Sequence, residues 1–220
     1  MIPLRHDGPL DRLDWDGASP VIWRPADPGR GQRAPLADSL LTRLAEEPVR
    51  LTRSMTGQPQ VAAPHGWYIG IAGRGELCLI AAARQPIAVD REAVDDVPPL
   101  WDMLTPAEAR AVRAAPDPSR QWLRRWTIKE AYAKLVGDPR RMAAETIETR
   151  LIDDRQATAH WQGERAAHCW TRDEGGAIET VAVWALASSS APIGTPTATT
   201  CWRSSTPTAL TISGQGTATG

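Results

Sequence analysis

The chain has 220 residues, 23% of them charged, and a formal net charge of −1. That length can bury a core in one or two domains, and the near-neutral balance supplies no global field to draw nucleic acid or an anionic membrane. Three cysteines (Cys78, Cys169, Cys201) are too few, and odd in number, for a disulfide framework, so a reducing cytoplasm is expected. No apolar run reaches the roughly 18 residues of a membrane span, and the opening residues 1–7 carry no signal-like apolar stretch. With ten Trp, two Tyr and no Phe, the bulk of the core must come from Trp and Leu.

Residues 1–35 are rich in Pro, Gly, Asp and Arg; a strand at Val21–Trp23 and a long loop from Arg24 to Pro35 are expected. Leu40, Leu41 and Leu44 fall on one face of a helix over Ala37–Glu46. Gly57-Gln58-Pro59 marks a turn. Strand-like residues follow at Trp67–Ile71 and Glu76–Ala83, with Gly73-Arg74-Gly75 as the link, and again at Ile87–Glu92 after the turn Arg84-Gln85-Pro86. Thr105, Pro106 and Glu108 have the spacing of an N-cap, a first helical residue and a capping-box partner. Pro116 and Pro118 end that helix. Ser119 is expected to cap a longer one running to about Val136, stopped by Gly137 and Pro139. Strands are expected near Thr149–Ile152, His168–Arg172 and Thr180–Ala187. From Ser188 onward 15 residues are Ser or Thr and only Arg203 is charged, so residues 188–220 read as a disordered tail outside the fold.

Only two of the 25 basic residues are lysine, Lys129 and Lys134, and both lie in Trp126-Thr-Ile-Lys-Glu-Ala-Tyr-Ala-Lys134. In a chain this biased toward arginine, two neighbouring lysines suggest that a compact ammonium is wanted there rather than a guanidinium fork. Glu130 and Lys134 also fit a plain i,i+4 pair on a solvated helix face. Upstream, Asp90 and Glu92 sit at i and i+2 of a strand, so both project from one face, about 6.5–7 Å apart along the backbone, with Arg91 on the other. Two carboxylates so placed suit a hard ion such as Mg²⁺ with phosphate oxygens completing its shell, or they form an exposed acidic strand edge. With Glu130 and Lys134 on a later helix, the set supplies what phosphoryl-type transfer needs: metal ligands, charge neutralisation and a base.

Together these segments resemble the 4′-phosphopantetheinyl transferases, in particular the surfactin-synthetase-activating type. That family carries (V/I)G(V/I)DxE and, further on, WxxKExxxK. The corresponding residues here are Ile87-Ala88-Val89-Asp90-Arg91-Glu92 and the run from Trp126 to Lys134. Leu104–Glu108 is similar to the family's helix start, Gly57-Gln58-Pro59 to its GKP turn, and Arg33–Leu36 with Leu40 and Leu41 to its CoA-contacting segment. The resemblance spans about residues 30–187 and implies an α+β fold of two similar α/β halves, with the active site in the cleft between them. The halves would be residues 1–103, with the CoA contacts and the Asp-x-Glu strand, and 104–187, with the WxxKExxxK helix. It also implies Asp90, Glu92 and Glu130 on Mg²⁺, and Glu130, Lys134 and Asp90 as the catalytic set. Lys134 would steady the CoA pyrophosphate. Arg33, Gln58, Gly73 and Arg74 would stand along the CoA. The implied reaction moves the phosphopantetheine arm of CoA to a serine of an acyl or peptidyl carrier protein of secondary metabolism, carried out by a cytoplasmic monomer with no nucleic-acid or membrane partner.

The departures cluster where CoA would lie. The family's phosphate-binding His falls at Gly73, the lysine of its GKP turn at Gln58, a phosphate-touching Thr at Ala34, and the Gly two residues before the Asp at Ala88. Either Arg74, with Arg30 and Arg33, replaces these contacts, or the site has lost about two to four decades of CoA affinity, leaving a slow or altered enzyme; the alternative is a catalytically impaired family member that acts as a carrier-protein or CoA binding module. His65, His160 and His168 form no site by spacing, and the tryptophans read as core.

Overall fold

The computed structural model describes residues 2–95, 98–137 and 142–185. The Ser/Thr-rich segment 188–220, Asp96 and Pro139 lie outside them. The elements are β1 (Leu4–His6), β2 (Val21–Trp23), α1 (Arg33–Ala45), β3 (Arg50–Arg53), β4 (Pro59–Ala63), β5 (Tyr68–Arg74), β6 (Leu77–Ala83), β7 (Ile87–Ala93), α2 (Pro106–Arg113), α3 (Pro118–Val136), β8 (Glu148–Leu151), β9 (Gln156–His160), β10 (Ala167–Asp173) and β11 (Ala177–Trp184). The fold is mixed α+β: a four-stranded sheet in the order β1-β2-β6-β5, a five-stranded sheet in the order β7-β11-β10-β9-β8, and a separate β3–β4 hairpin. No helix of the described residues is long and apolar enough to cross a membrane.

Alternation along the strands builds the layers. On β2 and β6, Val21, Trp23, Cys78, Ile80 and Ala82 pack with Leu40, Leu41 and Leu44 of α1. Their neighbours Ile22, Leu79, Ala81 and Ala83 turn the other way, onto Ile87, Val89, Val181 and Val183 of the second sheet. The far face of that sheet, through Ala88, Ala182 and Cys169, receives Ile128, Ala131, Tyr132 and Leu135 of α3. The order is helix, sheet, sheet, helix, with apolar side chains interleaved at each junction. The edge strands β5 and β7 lie alongside one another, and a Cβ on Gly70 would come within 3.2 Å of the backbone of Ala88 and Val89.

Charged residues also occupy the layer between the sheets. Glu179 of β11 is fully buried and meets three arginines: Arg91 of β7, Arg5 of β1 at 2.9 Å and Arg24 at 3.5 Å. The Arg91 guanidinium thus turns to the face of its strand opposite the acids. This pairing links the two sheets and has no counterpart in sequence spacing.

The capping box forms: Thr105 accepts from the Glu108 amide and Glu108 from the Thr105 amide. Other boundaries differ from expectation. α1 begins at Arg33, not Ala37, because Pro35 falls in the first turn, where a helix needs no N–H from it. α3 is capped by Asp117, whose carboxylate accepts from the Arg120 amide, with Pro118 as the first helical residue; Ser119 is already inside. Gly73 and Arg74 are not a link but strand, paired with Cys78 and Leu77. Gly137 ends α3 with φ 97°. Strands β1, β3, β4 and β9 were not visible as strands in the residue pattern.

Lys129 is accounted for by the fold. Only 1% exposed, its ammonium pairs with Glu108 at 2.7 Å and donates to the carbonyls of Met103 and Ala144. Glu108 in turn accepts from the Thr149 amide and hydroxyl. Burial lowers the Lys129 pKa, with Glu108 opposing it. Burial also acts to raise that of Glu108, but Lys129, Thr149 and the Thr105 amide outweigh it and hold the carboxyl below its ordinary value. Lys129 therefore fastens α3 to α2. Removing one partner strands a buried charge, so Lys129→Met is expected to cost about 3–5 kcal/mol. In urea titrations Lys129→Met/Glu108→Gln should recover part of that loss; additive losses would contradict the coupling.

Candidate active site

A cleft of about 590 Å³ opens where β5 and β7 run side by side, lined also by α3, the β3–β4 turn and the start of α1. Asp90, Glu92, Glu130, Lys134, Arg33, Gln58, Gly73 and Arg74 all line it, so the structure brings every sequence-designated site residue to one place. Arg30, Arg53, Thr56 and Arg91 line it as well. Arg53 and Thr56 carry no spacing signal; only the hairpin's position shows them.

Strand alternation places the acids. Ala88, Asp90 and Glu92 face α3, whereas Val89 and Arg91 face the other sheet. On α3, Glu130 and Lys134 are one turn apart. Lys134 donates to Asp90 Oδ1 at 2.6 Å and reaches the Val89 carbonyl at 3.5 Å. The other Asp90 oxygen, Oδ2, is buried without a hydrogen-bond partner. Burial raises the Glu92 pKa, Asp90 adds to this, and Arg74 and the Trp126 indole N–H work against it. Arg74 Nε stands 3.6 Å from Glu92 Oε2. Trp126 is stacked on Trp122, with ring centroids 6.3 Å apart. Burial raises Glu130 in the same way, with Asp90 and Glu92 adding to it and Lys134 opposing.

The hairpin tip is pinned to the end of α3, where a helix leaves carbonyls unpaired. Gln58 Nε2 donates to the Lys134 carbonyl at 3.1 Å and Thr56 Oγ1 to the Gly137 carbonyl at 3.1 Å. Gln58 thus supports the backbone of Lys134, and its amide N–H is directed there. Arg33 is gripped by Asp27, with Nε to Oδ1 at 2.8 Å and Nη2 to Oδ2 at 2.5 Å.

Three carboxylates line the cleft, with Lys134 on Asp90 and Arg74 beside Glu92. An all-oxygen donor set with one orphaned buried oxygen fits a hard divalent ion by donor type. Among the described residues, however, no three His, Cys, Asp or Glu side chains are drawn together as a ready metal cluster. Lys134 holds Asp90 instead.

The family model for the 4′-phosphopantetheinyl transferase superfamily matches residues 86–187, just under half of the chain. The matched stretch carries Asp90, Glu92, Glu130 and Lys134, and stops short of Arg33, Gln58, Gly73 and Arg74. A search of curated proteins gives no match.

The folded pKa values of Glu92 and Glu130 lie above the ordinary carboxylate value, so the folded chain holds these protons more tightly than the unfolded one. Stability of the metal-free protein is then expected to fall as pH rises from about the ordinary value through the raised ones. Glu130→Gln should flatten that fall and raise Tm at neutral pH, on a scale of roughly 2–4 °C per kcal/mol for a chain of this size. A Gln variant with the same pH slope and a lower Tm would contradict the repulsion.

Proposed function

We propose that this protein transfers the 4′-phosphopantetheine arm of CoA to a serine hydroxyl of an acyl or peptidyl carrier protein, in a reaction dependent on Mg²⁺. The observation that carries this reading is the convergence, in one cleft, of the four residues Asp90, Glu92, Glu130 and Lys134 from the family-matched stretch. In keeping with the surfactin-synthetase-activating type, the active protein is a cytoplasmic monomer of two halves; β7, although it precedes residue 104, pairs in the sheet of the second half.

The serine oxygen forms a bond to the phosphorus on the pantetheine side of the CoA pyrophosphate. The bond from that phosphorus to the bridging oxygen breaks, and 3′,5′-ADP leaves. Glu130 takes the serine proton as the general base. Lys134 has three N–H donors. Two are directed at Asp90 and Val89, which leaves one for a pyrophosphate oxygen. Asp90, Glu92 and Glu130 are the residues that would hold Mg²⁺, which when bound neutralises charge on the pyrophosphate. Arg74, beside Glu92, and Arg30 line the cleft and supply phosphate contacts in place of the family's lysine and histidine, which Gln58 and Gly73 replace here.

A second reading is favoured by one observation: the Gln58 amide is spent on the Lys134 carbonyl, not on the cleft. With fewer phosphate contacts, the chain would act as a CoA- or carrier-binding module without transfer. Mixing the protein with CoA, Mg²⁺ and several apo carrier proteins separates the two. The transferase produces carriers heavier by the arm, and Glu130→Gln slows this by about 10²–10⁴-fold. Folded protein that binds CoA or carriers and yields no modified carrier contradicts the transferase.

A further inference from the structure

Gly73 lies within β5, where nothing about its backbone requires glycine: its φ is not in the left-handed region, and it pairs in register with Cys78. What excludes a side chain is Arg33. A Cβ on Gly73 would stand 2.5 Å from Arg33 Cζ, 2.6 Å from Nη2 and 2.7 Å from Nε, far inside contact distance. A guanidinium is usually a mobile tip that could move aside. This one is fixed on three counts, by its two bonds to Asp27 and by donation from Nη2 to the Gly73 carbonyl at 3.2 Å. Asp27 is itself fixed: its carboxylate is almost wholly buried and accepts from the Gly29 amide, and its own amide donates to Glu76. Nε and Nη2 are thereby used up, and Nη1 has no hydrogen-bond partner among the described residues, on a side chain that lines the cleft.

We propose that Asp27, Arg33 and Gly73 form one prefixed anion-binding unit, in which the Arg33 guanidinium fills the space vacated at residue 73 and offers Nη1 to a phosphate group of the CoA nucleotide. The unit rests on the CoA reading given above. It lies beside the acidic strand, since β5 runs along β7 and the Arg74 carbonyl accepts from Arg91. A guanidinium held in advance loses little freedom on binding and keeps its planar donor geometry, which lysine would not. Glycine at 73 is then required only while arginine stands at 33.

The test is a mutant cycle read by calorimetry with CoA and Mg²⁺. Arg33→Ala should weaken CoA binding about 10- to 100-fold, the range of a lost charge-assisted hydrogen bond. Gly73→Ala, which meets no backbone strain, should weaken it comparably by displacing the guanidinium. The double variant should bind no more weakly than Arg33→Ala alone, whereas additive losses overturn the unit. Asp27→Asn should weaken binding when Arg33 is present and change nothing in the Arg33→Ala background; a loss in both would mean a merely structural Asp27 and overturn the unit. Thermal unfolding of each variant verifies that folded protein is compared. Dephospho-CoA and 3′,5′-ADP as probes locate the contact: an Arg33 effect kept with dephospho-CoA places it on the pyrophosphate, and one lost places it on the 3′-phosphate. Wild-type protein that binds CoA while Arg33→Ala binds it equally well overturns the unit alone. Wild-type protein that binds neither CoA, 3′,5′-ADP nor pyrophosphate overturns the unit and the CoA reading together.

Discussion

Strand β7 carries charge on both of its faces, and strict two-residue alternation sends each set to a different place. Arg91 turns into the layer between the sheets, where the fully buried Glu179 collects it along with Arg5 and Arg24. Asp90 and Glu92 turn toward α3 and its Glu130 and Lys134. A slip of one residue in the pairing of β7 with β11 would bury the acids between the sheets and expose the arginine to α3. The apolar residues interleaved with them, Ile87 and Val89 on one face and Ala88 on the other, hold the register. The chemistry of the cleft therefore rests on the same constraint that joins the two sheets.

The two lysines divide the work of one helix. Lys129 is consumed by structure: a buried ammonium with a carboxylate and two carbonyls around it fits where a guanidinium with five donors would leave some unpaired. Lys134 is partly exposed and keeps a donor free, and its backbone is steadied by Gln58 from the hairpin. Five residues of separation on α3 take one lysine into the core and leave the other at the cleft. Both are lysine in a chain that otherwise uses arginine, for unrelated reasons.

Local chemistry was legible in the residues. The capping box at Thr105, the end of α3 at Gly137, the shared face of Asp90 and Glu92 and the stripe joining Trp126, Glu130 and Lys134 all follow from spacing, because each depends on neighbours within two turns of chain. The start of α3 was misplaced because Asp117 and Ser119 are both good caps, and only the seat of Pro118 at the first helical position decides between them. What could not be read depends on distant partners. Glu179 looks like an ordinary strand residue until Arg5, Arg24 and Arg91 are brought to it. The β3–β4 hairpin has a weak strand pattern, and its role lies in the two hydrogen bonds its tip makes to α3. Gly73 reads as a turn glycine in sequence, and its true reason is a guanidinium from a residue 40 positions away.

In the proposed reaction a nucleotide pyrophosphate meets three carboxylates that tolerate one another poorly without a cation. Its most direct test is calorimetric titration of CoA into the wild-type protein, once with Mg²⁺ and once with a chelator. Saturable binding is expected that weakens by tenfold or more, about 1.4 kcal/mol, when Mg²⁺ is withdrawn. Binding of equal strength in both conditions would contradict it.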